Sequence, residues 1–174
     1  NSGYALVAAL IERVTGLSFE EYCVEYVFRP AGMKEATMIG FGSLEPGKPQ
    51  NALDRVPRID RGVGFTDRQA AFHFAYGDQL NWGYRGCGGI VAPTRDLLAW
   101  DRALRDRKFL GQESIDALYQ PALENYALGW EARKTNDGLR VEHSGGVLGV
   151  VTYYLRLIDE DVMVAIACSY RPKG

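Results

Sequence analysis

The first thirty residues alternate apolar and polar positions with the period of an α-helix. Apolar residues recur at three- and four-residue spacing over residues 2–15, which predicts a helix with a broad apolar face. Gly16 is placed to end this helix in the left-handed conformation. Ser18 and Glu21 have the spacing of a capping box, so a second helix is expected to follow at once and to end at Gly32. Its expected buried side consists of Phe19, Tyr22, Cys23 and Tyr26.

Residues 39–92 show no sustained period and are rich in glycine and proline. The aromatic residues in this segment argue against disorder, so we interpret it as an ordered, irregular loop that lines a cleft. Thr94 is the expected N-cap of the next helix, which runs to about residue 107. Residues 113–120 are expected to form another short helix.

From Tyr126 onward the period changes to two, which is typical of half-buried strands. Asn136-Asp137-Gly138 suits a hairpin turn after the first strand, and Asp159-Glu160-Asp161 suits the last turn. Helices followed by an antiparallel meander predict an α+β fold. We expect one structural domain, with a helical region over 1–121 and strands over 122–174. The predicted strands are 126–133, 139–144, 149–158 and 162–169.

Composition excludes several classes of function. The chain has 174 residues, 47% of them apolar and 24% charged, with a net charge of -2. No basic stripe is present, so nucleic acid is not an expected partner. No apolar run approaches 18 residues, so no transmembrane segment is expected. Cys23, Cys87 and Cys168 lack metal-site spacing and are expected to be buried free thiols, and we expect neither a metal nor a cofactor.

The segment His143-Ser144-Gly145-Gly146 carries the strongest chemical signal, at the end of a predicted strand. Adjacent glycines let a substrate approach the backbone, and an imidazole and a hydroxyl beside them could bind a carboxylate or assist proton transfer. A lone histidine on a strand is more often a hydrogen-bonded structural residue, so that interpretation stays open. Ser144 is not the expected nucleophile, because neighbouring side chains of a strand point to opposite faces.

Several segments occur together in one order along nearly the whole chain, and together they resemble the β-lactamase-related serine hydrolases. That family includes class C β-lactamases, D-Ala-D-Ala carboxypeptidases, D-aminopeptidases and esterases. The resemblance implies a β-lactamase/transpeptidase-like fold that is incomplete without an upstream segment, in a chain truncated at both ends. The segments are Asn1-Ser2-Gly3-Tyr4-Ala5-Leu6, Ile11-Glu12-Arg13-Val14-Thr15-Gly16, Ser18-Phe19-Glu20-Glu21-Tyr22, Phe28-Arg29-Pro30-Ala31-Gly32-Met33, Gly88-Gly89-Ile90-Val91-Ala92-Pro93-Thr94-Arg95-Asp96-Leu97, Tyr126-Ala127-Leu128-Gly129-Trp130, and His143-Ser144-Gly145-Gly146 followed by Gly149.

The resemblance also implies roles for particular residues. Asn1 matches the last residue of a Tyr-x-Asn element, and His143-Ser144-Gly145 matches Lys/His-x-Gly in its His form. The backbone N–H of Gly146 is then one half of an oxyanion hole. The expected catalytic residues are therefore Asn1, His143 and Gly146, while Ser144 and Gly145 bind substrate. The Ser-x-x-Lys nucleophile and the Tyr are expected upstream of Asn1, because no serine of this chain has lysine three places later.

By this resemblance the parent protein is a serine hydrolase acting on an ester, a D-amino-acid peptide or a β-lactam. The chain alone is expected to be inactive, and a periplasmic or extracellular location is favoured. Histidine in place of lysine favours an esterase or peptidase, because histidine is only partly charged near neutral pH. The expected partner is a small-molecule or peptide substrate. A non-catalytic peptide- or glycan-binding module, or an interaction domain in which His143 only marks a strand turn, remain alternatives.

Overall fold

The computed structural model describes residues 1–38, 85–147 and 150–169. Helices α1 to α5 are Ser2–Thr15, Phe19–Cys23, Arg29–Ala31, Thr94–Arg105 and Gln112–Tyr119, and a π-helical turn, Val24–Phe28, joins α2 to α3. Strands β1 to β6 are Thr37–Met38, Ile90–Val91, Glu131–Thr135, Gly138–Val147, Val150–Leu157 and Val162–Ser169. The expected α+β architecture is confirmed. Residues 39–84, most of the predicted cleft-lining loop, lie outside the described residues, and its end at 90–91 is a short strand paired with β1.

Helix α1 has the predicted bounds and ends as predicted at Gly16, which adopts a left-handed φ of 73°. Its apolar face is largely exposed, with Leu6 at 72% and Val14 at 75%, and Ala8 is its buried residue. The turn after residue 84 approaches this buried side closely. A Cβ atom added at Gly86 would overlap the backbone carbonyl of Tyr4, so glycine is needed for the helix and the turn to pack together.

The capping box that begins α2 is confirmed. The Glu21 N–H donates to Ser18 Oγ at 3.2 Å, and the Ser18 N–H donates to Glu21 Oε2 at 2.9 Å. The predicted burial of Tyr26 is wrong, since its side chain is 54% exposed. The π-helical turn contains one extra residue, so the core-facing position after Cys23 passes to Phe28 five residues later.

The N-cap of α4 is Pro93, and the prediction of Thr94 is wrong by one residue. The Pro93 carbonyl accepts from the Asp96 N–H at 2.9 Å, which starts the helix without a side-chain cap. The buried Asp96 carboxylate instead accepts the N–H of Glu35 at 2.7 Å. This bond ties α4 to the segment that leads into β1. The helical core contains Cys23, Phe28, Ala31, Met33, Ala36, Met38 and Ala103.

Strands β3 to β6 form one antiparallel sheet in chain order. Residues 136 and 137 form the two-residue turn between β3 and β4, and Thr135 pairs with Gly138. The last three predicted strands are confirmed, with β4 extending further to Val147. The prediction of a strand from residue 126 is wrong, because Gly129 has a φ of 84° and folds residues 126–130 into a tight turn before β3 begins.

The two turns at the far end of the sheet contact each other. The Leu139 N–H donates to Asp159 Oδ2 at 2.8 Å. Gly138 has a φ of 106°, and a Cβ atom there would overlap the Asp159 carboxylate. Glycine and aspartate at these positions therefore fix how β4 and β5 align.

A buried polar cluster joins α4 to the sheet. Asp101 is 5% exposed, its Oδ2 lies 3.3 Å from Arg156 Nη1, and its Oδ1 accepts the Tyr154 hydroxyl at 2.7 Å. Arg156 also forms an ion pair with Asp161. Burial, followed by contact with Asp101, raises the pKa of Tyr154 above its ordinary value. The small core below this cluster consists of Ala127, Ala132 and Val141.

The three cysteines lie in different environments. Cys23 is buried as predicted, whereas Cys87 is half-buried and Cys168 is exposed, so the prediction of buried thiols is wrong for Cys168. Within the described ranges no helix has both the length and the apolar character to cross a membrane. The same part of the chain contains no group of three His, Cys, Asp or Glu side chains placed to hold a metal ion.

Candidate active site

The segment His143–Gly146 lies on β4 beyond the end of β3. Pairing between β3 and β4 stops at Glu131 and Glu142, whereas pairing between β4 and β5 continues to Val147 and Val150. Among the described residues, one edge of β4 is therefore unpaired from His143 onward. All four residues of the segment are exposed.

The geometry of the hairpin decides which backbone groups face this open edge. In a two-residue hairpin the flanking residues, here Thr135 and Gly138, form the hydrogen-bonded pair. Backbone groups of an antiparallel strand alternate in direction, so every second residue of β4 from Gly138 faces β3. Ser144 and Gly146 fall on that series, and their N–H groups therefore point to the open edge.

Two hydrogen bonds agree with this assignment, one between β4 and the end of β5 and one on the far side of β3. The Ile158 N–H donates to the Leu139 carbonyl at 2.9 Å, which shows that the alternate series faces β5. The Ala132 N–H donates to the Asn125 carbonyl at 2.7 Å, away from β4. The N–H of Gly146, predicted to stabilise an oxyanion, is thus directed away from β5.

The two glycines differ in what surrounds them. A Cβ atom at Gly145 would lie 2.7 Å from Thr152 Oγ1 on β5, so that hydroxyl would have to move. A Cβ atom at Gly146 would meet the Val150 carbonyl at 3.9 Å, an ordinary contact. Packing in the described part of the chain explains glycine at position 145. The same packing does not require glycine at position 146.

The His143 imidazole contacts an aromatic hydroxyl from the preceding loop. Its Nε2 lies 3.2 Å from the Tyr126 hydroxyl oxygen, and the rings meet edge to face with centroids 6.2 Å apart. Ser144 is the next residue on the strand, so its side chain points to the other face of the sheet. His143 is therefore not placed to activate Ser144.

The tight turn over residues 126–130 places the Tyr126 side chain. The Tyr126 N–H donates to the Leu123 carbonyl and the Ala127 N–H donates to the Trp130 carbonyl, both at 2.8 Å. Burial, then hydrogen-bonding contact with the Tyr4 hydroxyl and the charge of Glu131, raises the pKa of Tyr126. Sequence reasoning did not assign Tyr126 to the site. Its one sequence signal was membership of the Tyr126–Trp130 segment.

Asn1 lies at the N-cap of α1, where its side chain is exposed and makes no capping hydrogen bond. Within the described residues its side chain forms no hydrogen bond with β4. One turn later, the Tyr4 hydroxyl interacts with Tyr126 and lies 3.5 Å from where a Cβ atom of Gly129 would be. The start of α1 thus lies beside the turn that carries Tyr126.

The charges next to Ser144 on its face of the sheet neutralise each other. Arg140 donates to the Glu142 carboxylate from Nε at 3.0 Å and from Nη2, and the Tyr153 hydroxyl donates to the same carboxylate. Burial opposes ionisation of Glu142, but the hydrogen bonds from Tyr153 and Arg140 outweigh it and hold its pKa below the usual range. Arg140 is therefore engaged within the sheet.

Known proteins with similar sequences and structures share this arrangement of helices and sheet. Penicillin-binding protein 4* of Bacillus subtilis (strain 168) is 30% identical over 91% of this chain and 36% of its own length. A D-aminopeptidase of Brucella anthropi is 29% identical over 86% of this chain and 27% of its own length. The crystal structure of a penicillin-binding protein from Bacillus halodurans matches with a TM-score of 0.66 at 18% identity, covering 98% of this chain and 50% of that chain.

These comparisons confirm the predicted β-lactamase/transpeptidase-like fold. The chain spans 36% of the first of these curated relatives and 50% of the solved structure. The family model described as Beta-lactamase matches residues 1–174. Because that match covers the whole sequence, this chain belongs to the beta-lactamase family.

Proposed function

We propose that the protein to which this chain belongs is a serine hydrolase that performs acyl transfer on an ester, a D-amino-acid peptide or a β-lactam. The observation that carries the proposal is the open edge of β4, where the Gly146 N–H points away from β5 beside His143. A single N–H donor aimed at a developing oxyanion typically contributes about 2.7–4 kcal/mol to catalysis. The penicillin-binding protein and D-aminopeptidase relatives support the same class of chemistry.

The proposed mechanism needs a nucleophile from a Ser-x-x-Lys element outside these 174 residues. The serine Oγ attacks the substrate carbonyl carbon while the lysine and a tyrosine accept its proton. The Gly146 N–H, with the nucleophile's own N–H, holds the resulting oxyanion. Collapse expels the alcohol or amine, which takes up the proton, and water then hydrolyses the acyl-enzyme. Asn1 hydrogen-bonds the lysine or the substrate amide.

We propose that His143 and Ser144 bind the polar end of the substrate and that Gly145 permits its close approach to the strand. Two features favour an ester or peptide over a β-lactam with a carboxylate. His143 stands where a permanently charged lysine would hold a carboxylate, and Arg140 is already paired with Glu142. The test compares turnover of a D-amino-acid amide, a p-nitrophenyl ester and a cephalosporin by the full-length protein. Efficient cephalosporin turnover, equal to that of the ester and the amide, would contradict this preference.

The class of enzyme is tested by labelling the full-length protein with a fluorophosphonate and measuring its intact mass. The 174-residue chain serves as the control. We expect one adduct on the full-length protein, mapped before Asn1, and none on the control, because the control lacks a Ser-x-x-Lys nucleophile. A folded full-length protein without an adduct would favour a non-catalytic peptide- or glycan-binding module. An adduct on the control would show that the nucleophile lies within this chain, with Ser144 the first candidate.

A further inference from the structure

We propose that Tyr126 is a positioning residue for His143. The Tyr126 hydroxyl forms a hydrogen bond with Nε2 of the imidazole, which orients the ring and leaves Nδ1 as the nitrogen available to substrate. The consequence for catalysis rests on the proposed function. The hydrogen-bonded arrangement itself does not.

The first argument is the geometry of the contact. The 3.2 Å separation between Nε2 and the Tyr126 oxygen is within hydrogen-bonding range, and the edge-to-face approach of the rings orients the imidazole. No other hydrogen-bond partner of His143 is seen in residues 1–38, 85–147 and 150–169. In a neutral imidazole one nitrogen donates and the other accepts, so a partner fixed at Nε2 determines the role of Nδ1.

The second argument is that the Tyr126 hydroxyl stays protonated beside the imidazole. Burial first, and then Tyr4 and Glu131, raise the pKa of Tyr126. A neutral phenol can donate to an unprotonated Nε2 or accept from a protonated Nε2, so the contact forms in either tautomer of the ring. In both cases Nε2 is engaged and Nδ1 is the nitrogen left for substrate.

The third argument is that Tyr126 is held firmly although it is 39% exposed. Its turn closes through the Ala127 to Trp130 hydrogen bond of 2.8 Å. The Trp130 ring lies 5.1 Å from the Tyr154 ring and 6.0 Å from the Tyr119 ring, between centroids. These contacts anchor the base of the turn against the sheet, so the Tyr126 hydroxyl is presented to His143 in one orientation.

The arrangement is tested directly by ¹⁵N NMR of the histidine rings in the full-length protein at neutral pH. Its His143 signals are assigned from a His143→Gln variant. We expect one ring nitrogen to show the shift of a protonated nitrogen and the other that of an unprotonated one, because the bond to Tyr126 favours a single tautomer. Tyr126→Phe should move both shifts toward those of a tautomer mixture. The matched control is Tyr26→Phe, which alters an exposed phenol on the π-helical turn and should leave both shifts unchanged. A tautomer mixture in the unaltered protein, or unchanged shifts in Tyr126→Phe, would overturn the proposal.

Kinetics separate positioning from a purely structural role. We expect Tyr126→Phe to lower kcat/KM about 2- to 12-fold, the effect of losing one neutral hydrogen bond, and to displace its pH profile. Loss of thermal stability with unchanged kcat/KM and pH profile would contradict the proposal. If the unaltered protein hydrolyses none of the three substrates, the proposed function fails while the NMR result still decides the Tyr126–His143 contact.

Discussion

The buried ion pair between Asp101 and Arg156 makes a sharp prediction about stability. Asp101→Asn keeps the size of the side chain and an oxygen that accepts from Tyr154, but removes the charge 3.3 Å from the Arg156 guanidinium. Breaking one member of a buried pair typically costs about 3–5 kcal/mol, because the partner stays buried without its counter-charge. Arg156 keeps Asp161 as a second partner, so we expect a loss near the lower end, about 3 kcal/mol.

The assay is urea unfolding of the full-length protein, followed by tryptophan fluorescence. A lower midpoint with an unchanged slope reports a change in stability alone. The matched control is Asp106→Asn, just after the same helix, where the pair with Arg105 is exposed on both sides. Exposed pairs contribute little, so we expect no comparable loss. If the two substitutions lower the free energy of unfolding equally, the reasoning from burial is wrong.

Three further predictions concern other parts of the chain. Burial, followed by the nearby Glu20 carboxylate, raises the pKa of Cys23 to about 12. When the 174-residue chain is alkylated at pH 8 and analysed by mass spectrometry, the exposed Cys168 should be modified much faster than Cys23. Equal rates at the two cysteines would contradict this. Gly86→Ala should lower the free energy of unfolding by about 1–3 kcal/mol, because the new Cβ overlaps helix α1. The control is Gly88→Ala, where the new Cβ enters open space. Equal melting temperatures for the two variants would refute the clash. Hydrogen bonds from Arg156 on β5 and Arg105 on α4 lower the pKa of Asp161. The stabilisation from these bonds is present above the unfolded-state pKa of about 3.9, and it is lost as the pH falls through the lower folded-state pKa. Asp161→Asn should therefore flatten that part of the curve of stability against pH.

Much of the fold follows from local patterns because helix and strand periods are local properties. The period of α1, the Ser18–Glu21 capping box and the alternation in β4 to β6 all predicted elements that the structure confirms. The errors arise where the backbone departs from a regular period. The π-helical turn moved Tyr26 out of the core, and the positive φ of Gly129 delayed the start of β3. Neither feature changes the apolar pattern on which such predictions depend.

The candidate site likewise contains residues that the sequence identified and residues that it did not. The segment His143–Gly146 is contiguous, so its sequence alone marked it as a place for chemistry. The role of Tyr126 depends on a turn that brings it to a histidine seventeen positions later, and its hydroxyl contact has no local signature. The position of the Tyr4 hydroxyl near that turn likewise depends on how α1 packs against it. Long-range packing of this kind is decided by the whole fold, and the periodicity of a single segment does not encode it.

The contact between Gly138 and Asp159 has a consequence for how inactive variants are interpreted. His143 is five residues along β4 from Gly138, which at about 3.4 Å per residue is about 17 Å. If a larger residue at position 138 slipped the strand by one place, His143 would move to the opposite face and the Gly146 N–H would turn toward β5. A mutational screen would then record inactive variants at Gly138 and Asp159, although neither residue touches the substrate. Such hits would identify the alignment of the sheet rather than a participant in the reaction.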